Sequence, residues 1–589
     1  MRQMTNALAG LFAAASLPLF LSIARDQMDQ VKEYNAEIPK TIVQLQQFRQ
    51  SNAIPIRSKA GREGTATLIN LNPAINVWYL LEIAWKDGES QAGYHLENAE
   101  PRARKIVLDQ KFASGLVIAE GSSTYFCDLF GVDTLDQARV SPLIYYPLCG
   151  GRIYLRNPAI GHRTTLETAT EFLREHVWGG EGIIAIGHIL MGDVHRETGK
   201  METKAPVAGS RATAEAGELP SAARIDTKYA DRVLVSSNLG IDLNGANQAG
   251  LTPGAWYAAS GNPGIYVSIL QPNLIDPEIL QSYKASVNNL DSIEASSLCY
   301  LIAFDLERFE LGYALGTEHP EVTWSPHMLP QMRDPKLAGP DGIGTIRPLV
   351  AIGLVSPENA PNTVATFTGG FKRQQGAFKY GDLALQNHGS HYGFIENGVV
   401  FSKLQPGVAT ILMFEDGLIE MKTWTEADHK LMASIKHARQ NGVPLIEFSE
   451  PAQLGVPGAL VNSWGAGNWS GSEDMKLRTM RSGAAIQRSH GRRFLIYAVF
   501  SDATPSAMAR VFQAYQCDYA MLLDMNALEH TYAAIYRRFG SEMFVDHLIK
   551  GMNVLDKSSG GELLPRFLGY ADNRDFFYVM RRSGREGKR

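Results

Sequence analysis

Between Leu298 and Val579 the chain alternates short apolar runs with turn residues, and this rhythm restricts the fold more than any single motif. The runs read LCYLIAFDL, LGYALG, TVATFTGGF, GFIENGVVF, VATILMF, GLIEMKTW, RRFLIYAVF and DYAMLLD. Short apolar segments punctuated by Gly, Pro, Asn and Asp are strands. Two stretches depart from the rhythm and predict helices. Thr425–Arg439 has Thr425 as cap, Asp428 three positions on and Asn441-Gly442 as a stop. Pro505–Gln516 has Thr504 as cap, Pro505 in the first turn, and Met508, Val511, Phe512 and Tyr515 at helical spacing. The expected class is α+β: a C-terminal domain with a mixed or antiparallel sheet and a few packed helices, after a smaller β-rich N-terminal domain. No period of about 20 to 50 residues repeats, which argues against a solenoid or propeller.

At 589 residues the chain is longer than one hydrophobic core usually organises. The expected division is 1–24, a sorting segment; 25–196, a helix and a β-rich domain; 197–226, a flexible loop or linker; and 227–589, the larger domain. In the first half, Gln27–Asn52 places Val31, Ile38, Ile42, Leu45 and Phe48 near helical spacing. TATLINL, NVWYLLEIAW, QAGYHLEN, KIVL and GLVIAE then read as strands of an antiparallel domain. TLETATEFLREH at 165–176 predicts a helix capped by Thr165 or Thr168, and GEGIIAIGHILMG a buried strand. His162 and His188 stand singly and are expected to be structural. Residues 197–226 are rich in Ala, Gly, Ser and Thr, without periodicity.

Acidic residues outnumber basic ones by 61 to 56, so there is no basic excess to suggest a nucleic-acid partner. The uncharged run Ala7–Ala24, behind Met1 and Arg2, ends on Ser22-Ile23-Ala24, with small residues where an export signal is cleaved. A cleaved signal peptide and a retained N-terminal anchor both place the body outside the cytoplasm, periplasmic or extracellular; a buried helix is the alternative. Of four cysteines none has CxxC spacing, which argues against zinc, and no metal or cofactor is expected. In an exported chain Cys127 and Cys149 could close a short disulfide loop, while Cys299 and Cys517 sit in apolar runs that suit buried thiols.

The chemistry concentrates in YAMLLDMNALEHTY, Tyr519–Tyr532. An apolar run ends on Asp524 and is followed at once by Asn526, Glu529 and His530, so a carboxylate sits rigidly at a strand end. Asp502 repeats that arrangement before the capped helix. Gly369 and Gly370, after Thr368, let the backbone turn tightly or a ligand come close. His388 and His391 form a polar wall rather than a metal pair, having no third ligand nearby. Arg481, leading a strand, offers a planar fork for phosphate or carboxylate. Each also has a plain structural reading, as cap, turn or surface ion pair.

The order of these stretches over roughly Glu294–Arg581 resembles the phosphodiester glycosidase family, that of the enzyme that removes N-acetylglucosamine from a mannose-6-phosphate diester. TGGFK at Thr368–Lys372 is similar to that family's Asn-Gly-Gly-Phe-Phe, GFIENGVVF to its hairpin, and RSGAAI to its Arg-Thr-Ala-Ile-Gly stretch. AVFSDATPSAMARVF is similar to its strand-Asp-helix unit, and LLDMNALEH to its Leu-Asp-Gly-Gly-Gly-Ser. Thr368 replaces an Asn, and Met525–Leu528 replaces the Gly-rich turn, so the resemblance implies a divergent branch with a reshaped pocket. It implies an exported hydrolase of a glycosyl phosphodiester or related envelope sugar linkage, with a carbohydrate or sugar-phosphate ligand. Asp524, Asp502 and His530 would be catalytic; Arg481, Thr368, Gly369, Gly370, His388, His391, Asn526 and Glu529 would bind substrate. A non-catalytic envelope protein binding glycan or a protein partner is the other reading. A Ser-nucleophile hydrolase is disfavoured by the lack of a G-x-S-x-G elbow.

Overall fold

The computed structural model describes residues 41–58, 61–86, 92–131, 134–165, 167–168, 200–203, 219–244, 250–319, 322–324, 330–372, 392–463, 478–540 and 542–582. They fall into two compact units that interleave along the chain. The first runs up to Arg156 and takes in Asp334–Val350 and Asn397–Phe401; the second comprises Asn157–Arg333, Ala351–Glu396 and the chain from Ser402 onward.

In the first unit, β1 (Gln50–Arg57), β2 (Glu63–Asn70), β3 (Trp78–Trp85) and β4 (Ala92–Asn98) follow one another as antiparallel neighbours. β5 (Arg104–Val107), β6 (Gly115–Glu120) and β7 (Ser123–Asp128) form a separate three-stranded sheet, and β8 (Tyr145–Leu148) and β9 (Ile153–Arg156) complete the first in the order β1-β2-β3-β4-β9-β8. Leu81, Leu96, Leu116, Ile118, Phe130 and Ile153 join the two sheets in one core. Cys127, on β7, and Cys149, just past β8, form a disulfide that ties them together. The expected helix over Gln27–Asn52 is corrected where it is described: Ile42–Leu45 makes one helical turn and the chain is extended from Gln50.

Strands of the second unit include β10 (Tyr257–Ala258), β11 (Ile265–Leu270), β12 (Cys299–Asp305), β13 (Phe309–Ala314), β14 (Thr363–Thr368), β15 (Phe394–Glu396), β16 (Ala409–Phe414), β17 (Ile419–Thr423), β18 (Ile435–Gln440), β19 (Pro444–Ser449), β20 (Leu454–Pro457), β21 (Thr479–Ser489), β22 (Arg492–Ala503), β23 (Tyr519–Met525), β24 (Ala533–Phe539), β25 (Glu542–His547) and β26 (Phe576–Arg581). An eight-stranded sheet has the order β10-β11-β12-β22-β21-β23-β19-β20, a five-stranded sheet the order β13-β26-β14-β24-β25, and β15, β18, β16 and β17 lie side by side in a third. The pairings of the first two of these sheets are antiparallel. Those sheets pack through aromatic side chains: Phe367 on β14 lies 6.2 Å from Phe304 and 4.6 Å from Tyr497, ring centre to ring centre, and beside Phe577. Helix α1 (Pro505–Ala514), capped by Thr504 Oγ1 accepting from the Ala507 N–H, covers the other face of the eight-stranded sheet. A Cβ on Gly483 of β21 would meet Met508 and Phe512 of α1 at 3.0 and 3.2 Å.

The expected α+β class with a mixed sheet is therefore corrected. The protein is mostly β, built of several separate antiparallel sheets with few helices, and its units do not split into an N-terminal and a C-terminal half. The expected helix Thr425–Arg439 shows why. Its capping box at Thr425 and Asp428 is present, but the turn is 3-10 and stops at Ser434. The following IKHARQ is strand β18, paired with both β15 and β16. Backbone bonds on two sides outweigh the helical preference of Lys, Ala, Arg and Gln. Cys299 and Cys517 are buried free thiols. The expected strand over 180–192 and His188 lie outside the described residues, as does most of 197–226. Lys200–Thr203 of that stretch pairs antiparallel with Arg232–Val235. Among the described residues no helix is long and apolar enough to cross a membrane.

Candidate functional site

Asp524 stands near the end of β23, opposite an irregularity in the pairing with β21 between Arg481 and Gly483. Ser482 sits in that bulge, and its Oγ accepts from the Asp524 N–H at 3.2 Å and donates to the Asp524 carbonyl at 3.0 Å. A bulge re-aims the residue opposite it, and this one is pinned at both ends of Asp524. Met525 lies with Arg481, whose Nη1 is 2.7 Å from the Met525 sulfur and whose Nε donates to Ala503 O at 2.8 Å. Adjacent strand residues point to opposite faces, so Asp524 faces the other way, away from Arg481.

What Asp524 meets there is Arg574, in the Asp572-Asn-Arg-Asp575 run that leads into β26. Arg574 Nη1 donates to Asp524 Oδ2 at 2.5 Å, and Nη2 donates to Glu167 Oε1 at 2.9 Å and to His530 Nε2 at 2.8 Å. Its backbone N–H is fixed by Asp572 Oδ1. Glu167 is set by Thr164, whose Oγ1 accepts the Glu167 N–H, a capping contact made by Thr164 rather than the expected Thr165 or Thr168; most of the expected helix 165–176 lies outside the described residues. Asn573 Nδ2 at 2.9 Å and Lys372 Nζ at 3.3 Å also reach Glu167 Oε1, and Lys372 lies 2.7 Å from Glu318. The side chains of Asp524, Glu167, Arg574 and Lys372 are each 5% exposed or less, while His530 is half-buried at the edge of the cluster.

Burial and these partners set the charges. Desolvation pushes Asp524 up to about 6, against the pull of Arg574. Burial would raise Glu167 too, but Arg574 and Lys372 together outweigh it and hold that carboxyl well below the usual carboxylate range. Desolvation and then the Arg574 cation keep His530 neutral. Its tautomer follows from its partners: Nδ1 donates to Met525 O at 2.6 Å, leaving Nε2 to accept from Arg574. One guanidinium thus joins a carboxyl pushed up to about 6 to one held well below the usual range, the arrangement from which acid–base chemistry is built.

Behind this cluster lies a second buried group. Arg439 on β18 donates to Asp575 Oδ2 at 2.8 Å and to Phe371 O at 2.7 Å, and Tyr313 donates to the same Asp575 oxygen. Gly369 and Gly370 are what let the chain pass. A Cβ on Gly369 would lie 2.4 Å from Asp575 Oδ2, and one on Gly370 would lie 2.5 Å from Asn441 Oδ1. The close approach inferred for the Gly-Gly pair is thus made by buried side chains of the protein.

Of the other sequence candidates, Thr368 is buried, its Oγ1 donating to His530 O at 2.8 Å and lying 3.3 Å from the Tyr497 hydroxyl. Asn526 adopts the left-handed conformation (φ 87°), a role its amide side chain tolerates in place of glycine. Glu529 is buried 3.5 Å from Thr164 Oγ1, and its carbonyl accepts from Arg566. Asp502 belongs with Arg481 and Glu294 rather than with Asp524: burial depresses Arg481 to about 9, and the Glu294 and Asp502 charges oppose that. The structure therefore brings together Asp524, His530 and, through backbone contacts, Thr368, and sets Arg481 and Asp502 apart from them. His388 and His391 lie outside the described residues. Among the described residues no group of three or more His, Cys, Asp or Glu side chains is placed to hold a metal ion.

Sequence reasoning missed Arg574, Glu167 and Lys372. A signal existed for the first: four polar residues, Asp572–Asp575, directly before the apolar FFYVM mirror the strand-end logic that found Asp524. Glu167 looked like an ordinary helix residue, and Lys372 like the flank of the Gly-Gly turn. A surface cavity of about 480 Å³, lined among others by Tyr519, Thr423, Glu447, Phe448, Arg488 and Arg493, opens at the far end of β23. It holds none of the clustered residues, and two of its cations are already neutralised, Arg488 by Asp518 and Lys422 by Asp428.

No protein-family model matches the chain, and no curated protein matches it in sequence. Among solved structures, the catalytic domain of zebrafish N-acetylglucosamine-1-phosphodiester alpha-N-acetylglucosaminidase, auto-inhibited by its pro-peptide, aligns over 55% of this chain and 85% of its own, with 10% identity and a TM-score of 0.29. A Burkholderia pseudomallei protein classed as exported aligns over 48% and 74%, with 9% identity and a TM-score of 0.17. Both likenesses are weak, and neither carries an argument for fold or function.

Proposed function

We propose that the Asp524–Arg574–Glu167–His530 cluster is a hydrolytic centre for a glycosyl phosphodiester or related sugar linkage of the cell envelope. The observation that supports it is the pair of buried carboxylates on one guanidinium, driven apart so that Asp524 protonates at about 6 and Glu167 stays ionised. Phosphate leaves a sugar with little protonation, so the demands are a base to activate water and an anion to face the positive charge developing on the ring. Asp524 takes the first role and Glu167 the second. Arg574 holds both carboxylates, and neutral His530 positions Arg574. Export is part of the proposal, supported by the Cys127–Cys149 disulfide, which suits an oxidising compartment.

Purified protein is to be assayed against a panel of sugar-1-phosphodiesters. Turnover of at least one member, lost in both Asp524→Asn and Glu167→Gln with their folds intact, is the expected result; turnover retained in either variant refutes the roles. One observation favours a second reading, a non-catalytic glycan- or protein-binding envelope protein: the cluster's carboxylates are already engaged by cations. Binding of sugar-1-phosphodiesters without turnover supports that reading.

A further inference from the structure

Three donors from three separate segments converge on one carboxylate, Glu318. Lys372 Nζ lies 2.7 Å from its Oε2, Asn573 Nδ2 reaches the same oxygen at 3.4 Å, and Arg163 Nε pairs with Oε1. Lys372 and Asn573 are buried, whereas Glu318 is half-buried and Arg163 more exposed still. Glu318 is thus the outermost carboxylate of the cluster, joined to Glu167 through Lys372 and Asn573. An ammonium, a guanidinium and an amide N–H around one oxyanion are a donor set that fits phosphate as well as carboxylate. Beside it, Asn573 Oδ1 and Arg574 Nε are buried with no hydrogen-bond partner among the described residues. They leave one acceptor and one donor on consecutive residues, the two functions that a hydroxyl group, which both donates and accepts, can satisfy. A sugar phosphate carries both functions.

We propose that Arg163, Lys372 and Asn573 form an anion subsite for the phosphate of the substrate, and that Glu318 is a tethered occupant that the phosphate displaces. The proposal rests on the reading of Asp524 and Glu167 as the reacting pair and names the group beside them that recognises the anion. Exchange of one anion for another leaves Lys372 and Arg163 neutralised throughout, so no buried cation is stranded. A tethered carboxylate competes at high effective concentration and lowers the apparent affinity for any free anion. Removing its charge while keeping its shape therefore strengthens anion binding.

The test is calorimetric titration of the full chain with inorganic phosphate, for the native protein, Glu318→Gln, and Glu318→Gln combined with Lys372→Met. The expected result is that Glu318→Gln binds phosphate at least about tenfold more tightly than the native protein, and that Lys372→Met abolishes the gain. Should the double variant fail to fold, Glu318→Gln with Arg163→Gln takes its place, and at least half of the gain in binding free energy must disappear. No gain in Glu318→Gln overturns the proposal, as does a gain that survives loss of the cation. Because the titration reads binding and not turnover, it can fail while Asp524→Asn still abolishes hydrolysis, and the reverse, so the two readings stand or fall separately.

Discussion

Replacing Arg574 with Met would leave two buried carboxylates, Asp524 and Glu167, without the cation they share. Stranding a buried charge costs about 3–5 kcal/mol, so a loss of that size is expected in denaturant unfolding of Arg574→Met. A cost under about 1 kcal/mol would mean that the pair is solvated. The two acids also pull pH dependence in opposite directions. Glu167, depressed, contributes stability above its unfolded pKa that is lost as pH falls through its folded one. Asp524, raised, binds its proton more tightly folded than unfolded, so its term erodes stability as pH rises from about 4 to about 6. In that window the native protein should lose stability relative to Asp524→Asn, which pH-resolved melting reads; parallel curves would contradict it. Asp524 and His530 were legible because they follow a buried apolar run directly. Arg574 left a local signal in Asp572–Asp575, but its pairing with Glu167 was not legible, because it joins positions hundreds of residues apart and nothing local to either encodes the other.

At the scale of elements, the site depends on one bulge and one sheet interface. Ser482→Ala removes both hydrogen bonds to the Asp524 backbone, and leaving those groups unpaired costs about 1–3 kcal/mol. Turnover should fall with stability, since the carboxylate loses its aim; melting and turnover unchanged together would show that the bulge does not position it. Phe367 is fully buried among Phe304, Tyr497 and Phe577, so Phe367→Ala should cost about 3–5 kcal/mol in chemical denaturation. A far smaller cost would deny that this contact holds the two sheets together. Many of these elements could be read in advance: LCYLIAFDL, VATILMF, RRFLIYAVF and DYAMLLD all fall on strands, and Pro505–Ala514 is the helix its cap announced. IKHARQ could not, because its strand state comes from two neighbours that the local sequence does not reveal. Its buried Arg439 is tolerated only because Asp575 meets it.

At the scale of the whole molecule, the described residues form two units whose segments interleave, a property no local pattern carries, since periodicity tells a strand from a helix but not which sheet receives it. The disulfide is the covalent tie of the first unit, closing a loop with a sequence separation of 22 residues. Replacing both cysteines by Ala should lower that unit's stability by about 3 kcal/mol and leave turnover at Asp524 unaltered; loss of turnover in that variant would show that the units depend on one another for activity. All of these expectations return to two carboxylates on one guanidinium with their protonation driven apart. The most direct measurement is a carboxyl-carbon NMR titration of the native protein, with the Asp524 signal assigned by its absence in Asp524→Asn and the Glu167 signal by its absence in Glu167→Gln. The account predicts an Asp524 midpoint near 6 and a Glu167 signal still in its ionised position there; two midpoints together in the ordinary carboxylate range would contradict it.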